Sequence, residues 1–97
     1  MEIDRYVLET LMPDLVGHDR HPSAFLVYLH LWAATGGGEE PVQVSLAGIA
    51  RGTGISKRAV QGALERLIRR ELVEVERDGI TAVPRYTLCR PWLRYRG

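Results

Sequence analysis

Apolar residues recur at three- and four-residue spacing through three stretches of this chain and alternate with polar ones in a fourth. Ile3, Val7 and Leu11 are spaced for a short helix, with Leu8, Met12 and Leu15 nearby, and Pro13 is expected to end or bend it. Leu46, Ile49 and Ala50 mark one side of a second short helix. Val60, Ala63, Leu64, Leu67 and Ile68 mark one side of a longer one. Between these last two, Gly52-Thr53-Gly54 breaks the pattern. Gly54 is the residue expected to take a left-handed backbone, which glycine adopts without steric cost, and Ile55 is placed to plug the angle between the helices. Ser45 and Ser56 stand where N-caps belong.

The remaining segments complete the outline. Gly17-His18-Asp19-Arg20 reads as loop, and Pro22 suits the first turn of a helix over Pro22 to Thr35, where its missing N–H costs nothing. That helix is apolar nearly all round, so it should be buried on more than one side. One side should meet the two following helices, and another should meet the N-terminal helix or a second subunit. Gly36 to Pro41 reads as a flexible break, after which Val42-Gln43-Val44 could supply a short strand. Leu72 to Arg77 alternates apolar and polar residues, as a half-buried strand does. Two returns are compatible with it. Asp78-Gly79 favours a tight hairpin into Ile80–Val83. Pro84, which lacks a ladder N–H, favours a wider loop over residues 77 to 84 with residues 85 to 89 as the partner strand.

The fold class read from this order is α+β: three or four helices, one short strand and a C-terminal hairpin, in a single domain over residues 1–97. Residues 1–40 serve as helical scaffold and dimerisation surface, 42–72 as a helix-turn-helix, 72–89 as a hairpin and 90–97 as a basic, aromatic tail. The polar face of the longer helix carries Lys57, Arg58, Gln61, Gly62, Glu65, Arg66, Arg69 and Arg70. A major groove about 12 Å wide admits one helix whose probing face is polar and partly cationic. A second helix braced by a first, N-terminal end leading, meets that requirement.

This arrangement resembles the winged helix-turn-helix domains of bacterial transcription regulators, including the GntR-like group, and of related plasmid replication initiators. The residues that carry the resemblance are Leu46-Ala47, Ile49-Ala50, Gly54-Ile55-Ser56, Val60, Ala63-Leu64, Leu67 and Leu72-Val73. It implies binding of double-stranded DNA by the helix that opens near Ser56, with the hairpin as a wing along the phosphate backbone or minor groove. It also implies transcription regulation, with paired half-sites read by a homodimer. Two departures stand out: Ala59 replaces a common Thr or Ser, and Glu71 replaces a common helix-ending Gly, leaving the helix exit without its usual left-handed residue. The alternative function is a winged-helix module for protein–protein interaction or replication initiation.

The DNA-binding candidates are Ser45, Ser56, Lys57, Arg58, Gln61, Gly62, Glu65, Arg66, Arg77 and Arg85. Lys57 and Arg58 lie in the first turn and reach bases or phosphates. Arg58 suits guanine bidentately, Gln61 suits adenine, and Glu65 accepts from cytosine. Ser56 caps the helix, touches phosphate, or does both. Gly62, unfavourable in mid-helix, reflects close approach to a groove wall, close packing, or no particular requirement. Arg66, Arg69, Arg77 and Arg85 are phosphate candidates, the last two on the wing. In the tail, Trp92 either packs on the fold or stacks on a base, and the arginines follow the backbone.

Charge sharpens this picture. Residues 1–50 hold two basic against seven acidic residues, a net −5, and residues 51–97 hold eleven against five, a net +6; the whole chain is +1. An acidic half joined to a basic half suits a DNA-facing surface with a DNA-averse back. A single cysteine, Cys89, excludes an intrachain disulfide and fits the cytoplasm. Asp14, His18, Asp19 and His21 fall in a loop without the paired, oriented ligands that zinc sites use, so no metal is expected. Nor is a cofactor, a small-molecule pocket or an enzyme expected, because no nucleophile–base pair, phosphate-cradling loop or paired carboxylates stand out. No apolar run reaches the roughly 20 residues that cross a bilayer, and no leader segment is read in the chain.

Overall fold

The most apolar segment becomes the centre of the molecule. In the computed structural model, which describes residues 1–37 and 40–95, Pro22–Thr35 forms helix α1 with Pro22 in its first turn. Ala24, Phe25, Val27, Tyr28, Leu31 and Trp32 are buried. Helix α2 (Leu46–Thr53), helix α3 (Lys57–Arg69) and the N-terminal helical segment all pack around α1. That segment provides the second covering the sequence demanded. It places Val7, Leu11 and Leu15 in the shared core.

The N-terminal segment departs from the expected form. Ile3 lies before the helical part, and two π-helical stretches, Val7–Leu11 and Pro13–His18, run on through Pro13 and into the segment read as loop. The backbone N–H of Met12 reaches Val7 O and that of Asp19 reaches Asp14 O, each five residues back. The proline supplies the reason. Pro13 has no N–H to donate, and in an α-helix its ring would clash with the carbonyl of Glu9. Widening the turns takes the ring off that carbonyl without ending the helix.

Helices α2 and α3 form the expected pair. Ser45 Oγ accepts from Gly48 N at 3.0 Å and Ser56 Oγ accepts from Ala59 N at 3.0 Å, so each serine caps its helix. Gly54 takes φ +83°, turning the chain between them. A Cβ on Gly52 would collide with the imidazole of the half-buried His30, so glycine lets α2 close on α1 with that ring in its present position. At the end of α3, Glu71 itself adopts the left-handed backbone, with φ +59°. The Glu71 N–H bonds Ile68 O at 3.0 Å and the Leu72 N–H bonds Leu67 O at 2.8 Å, a complete Schellman exit built without glycine. The expectation that this exit lacks its left-handed residue is therefore corrected.

Strands β1 (Val42–Gln43), β2 (Val73–Glu76) and β3 (Arg85–Leu88) form an antiparallel sheet in the order β1-β3-β2. Val73 faces Leu88 and Glu76 faces Arg85, so the wider of the two returns is the one formed, with residues 77–84 as its loop. Gln43 Nε2 ties β1 to that loop by donating to Val83 O at 3.1 Å. The result is a winged-helix-like α+β fold. No described helix is long and apolar enough to cross a membrane.

The two ends of the described chain meet. Arg90 makes a two-pronged pair with Asp4, Trp92 Nε1 donates to Asp4 Oδ2 at 3.1 Å, and the Trp92 ring stacks on Tyr6 at 4.5 Å between centroids. Trp92 thus packs on the fold, and Arg90 is held in an internal pair. Of the other expectations, Gly38 and Glu39 in the glycine break and Arg96 in the tail lie outside the described residues.

Candidate nucleic-acid interface

Helix α3 divides sharply by face. Val60, Ala63, Leu64 and Leu67 are buried against the body. Opposite them, at helical spacing, stand Arg58, Gln61, Gly62, Glu65 and Arg69, all exposed except the half-buried Gly62. Ser56 and Lys57 are exposed at the helix start. Among the described residues, the side chains of Lys57, Arg58, Gln61, Glu65 and Arg69 have no hydrogen-bond or ion-pair partner. The first turn therefore offers two unspent cations at the positive end of a helix dipole, with the cap hydroxyl beside them.

Gly62 sits at the middle of this face. A Cβ there would meet only His21 Nε2, at 3.9 Å, which is ordinary contact. Packing within the chain therefore does not require glycine at this position. A shallow depression around it is lined by His21, Glu65, Arg66 and Arg69. His21 and Arg69 thus join the face although they were not among the leading candidates. For Arg69 the helical period was the available signal. For His21 there was none, because only the tertiary fold brings the start of α1 beside α3.

Other candidates are placed differently. Ser45 is half-buried and occupied as the α2 cap. Arg66 stands 3.9 Å from Asp19, whose side chain is only 7% exposed. Arg70 binds both Asp19, at 3.1 Å, and Asp14, at 3.2 Å. The Asp19 carboxyl is held below the usual aspartate range by its hydrogen bond to His18 and by Arg70 and Arg66, against the opposing effect of burial. Arg85 is bonded twice to Asp78, at 2.8 and 3.0 Å, and this pairing raises the guanidinium pKa and lowers that of the carboxyl. Arg77 is exposed at the start of the wing loop.

These pairs revise the charge argument. Arg66, Arg70 and Arg90 of the basic half are matched by Asp19, Asp14 and Asp4 of the acidic half. The two halves interlock rather than forming opposite surfaces. Among the described residues the cations left without an ion pair are Arg20, Arg51, Lys57, Arg58, Arg69 and Arg77, three of them on α3. Searches against protein-family models, curated proteins and solved structures return no match for this chain.

Proposed function

We propose that this protein binds double-stranded DNA sequence-specifically by inserting the N-terminal half of α3 into the major groove, and that it acts in the cytoplasm as a homodimeric transcription regulator. One observation carries the reading. A capped helix, docked through a fully apolar flank, presents Ser56, Lys57 and Arg58 outward with both cations unpaired among the described residues.

In this reading Arg58 and Gln61 face base edges, Lys57 and Arg69 hold phosphates, and Gly62 lets the helix approach the groove wall. Glu65 accepts from cytosine and rejects misplaced registers. Arg77 follows the backbone from the wing, while Arg85 braces the wing through Asp78. The dimeric part is supported by Leu8, Met12 and Val16, four residues apart on the N-terminal segment and 45%, 40% and 38% exposed. Covering them with a second copy would pair two reading helices, as two-fold half-sites require.

Selection of bound duplexes from a random pool tests the reading. It expects a defined half-site, repeated with two-fold symmetry, and affinity that falls steeply as salt rises, because each neutralised phosphate releases counterions. Recovery of unselected sequence with no salt dependence would refute it.

A further inference from the structure

Strand β2 ends the β1-β3-β2 order, so one of its hydrogen-bonding edges pairs with β3 and the other looks away from it. The register fixes which groups look away. Cys89 N donates to Leu72 O at 2.8 Å, so Leu72 and Cys89 form a bonded pair at the end of the ladder. Bonded and non-bonded pairs alternate in an antiparallel ladder. Glu74–Thr87 and Glu76–Arg85 are then bonded pairs, and Val73–Leu88 and Val75–Tyr86 are not. The backbone N–H and C=O groups of Val73 and Val75 consequently point away from β3, and of the two residues only Val75 is open to solvent, 38% exposed against 1% for Val73.

A groove runs beside these groups, lined by Ile68, Glu71, Val73, Glu74 and Val75. Its apolar part is Ile68 and Val75, 39% and 38% exposed, over the buried Val73. The charged residues lining it are carboxylates alone, and Glu76, 3.9 Å from Arg85 across the ladder, continues the series along the strand.

We propose that this edge docks an extended, cationic segment of a partner protein, which adds a strand to β2 and seats apolar side chains against Ile68 and Val75. Main-chain bonds to the N–H and C=O of Val75 supply the recognition of an extended chain. Charge selects its composition. Glu74 and Glu76 favour lysine or arginine opposite them, and like charges directly opposite are unfavourable. A second copy of this chain is disfavoured for the same reason, since two-fold pairing about Val75 sets Glu74 of one copy against Glu76 of the other. Nucleic acid is disfavoured by the three carboxylates. The site is separate from the α3 face opened by Arg58, so this inference stands apart from the DNA reading.

The test is fluorescence anisotropy of the full chain with a short labelled peptide of alternating valine and lysine, set against its valine–glutamate counterpart. The lysine peptide is expected to bind saturably and the glutamate peptide not to bind. Val75→Pro removes an outward N–H without touching the ladder to β3, because edge positions tolerate proline. It is expected to weaken binding roughly tenfold, the scale of one lost hydrogen bond. The double variant Glu71→Lys with Glu74→Lys, which leaves the edge backbone intact, should weaken it at least as much, and Arg58→Ala should leave it unchanged. Failure of the lysine peptide to bind, equal binding of both peptides, or undiminished binding by the double variant would overturn the proposal. So would a dimer in sedimentation that Val75→Pro dissolves, which would put a second copy on the edge.

Discussion

Asp4 and Arg90 stand at opposite ends of the chain and meet in a two-pronged ion pair, with Arg90 Nη2 at 2.9 Å from one carboxylate oxygen and 3.2 Å from the other. Asp4 also accepts from Trp92, and Arg90 lies over the Trp32 ring at 5.2 Å from its centroid. The pair is only partly exposed, so truncation leaves a cation and an indole N–H short of partners. Asp4→Ala is expected to cost about 2 kcal/mol in urea unfolding, the scale of lost hydrogen bonds to a charged group. Asp4→Ala combined with Arg90→Ala should cost clearly less than the sum of the two single changes.

Glu71 carries a backbone that favours glycine, at the end of α3. A non-glycine residue in the left-handed region is strained by about 1–2 kcal/mol, partly offset by the extra freedom glycine gives the unfolded chain. Glu71→Gly is therefore expected to stabilise the protein by about 1 kcal/mol, read as a higher urea midpoint with an unchanged slope. Glu71→Val should destabilise it, because a β-branched residue tolerates that region worst.

Asp19 links the N-terminal segment to α3 through Arg66 and Arg70, and its pKa is lowered in the folded protein from the ordinary 3.8. Between the folded value and 3.8 the unfolded chain binds more protons, so stability rises with pH there. The contribution is fully present above the ordinary value and is lost as pH falls through the lowered one. Thermal midpoints of the natural protein and Asp19→Asn should differ by a constant amount near neutrality. The gap should close only below pH 3.8.

Gly52 and Gly62 separate two uses of glycine. Gly52→Ala places a methyl against the half-buried His30, which must turn aside, and is expected to destabilise by about 1 kcal/mol, the low end of overpacking. Gly62→Ala meets only His21 Nε2 at 3.9 Å, so it should stabilise α3 by up to about 1 kcal/mol while weakening DNA binding. Paired unfolding and duplex-binding measurements check both. Unchanged duplex affinity in Gly62→Ala would remove close groove approach from the account.

Much of the fold was legible because local signals agreed with tertiary ones. Ser45, Gly54 and Ser56 punctuate α2 and α3, and Val60, Ala63, Leu64 and Leu67 bury as their spacing requires, whereas Ile68 of the same periodic set is 39% exposed beside the sheet edge. The parts that resisted depend on geometry no local pattern encodes. Continuation of the helix through Pro13 needed wider turns, and the wing depended on the whole sheet rather than on Asp78-Gly79. At the candidate interface, Arg58 and Gln61 could be placed by period alone. The pairing of Arg66 with Asp19 and of Arg85 with Asp78 could not, because side-chain pairing across the fold leaves no periodic trace.

Titration of Arg58→Ala with a duplex selected by the natural protein, and with single-base variants of it, tests most directly whether the start of α3 reads DNA. The account predicts weaker binding and a loss of about 1–3 kcal/mol of discrimination at one base pair. Arg77→Ala, by contrast, should weaken all sequences alike and flatten the salt dependence. Unchanged affinity and unchanged base preference in a folded Arg58→Ala protein would contradict it.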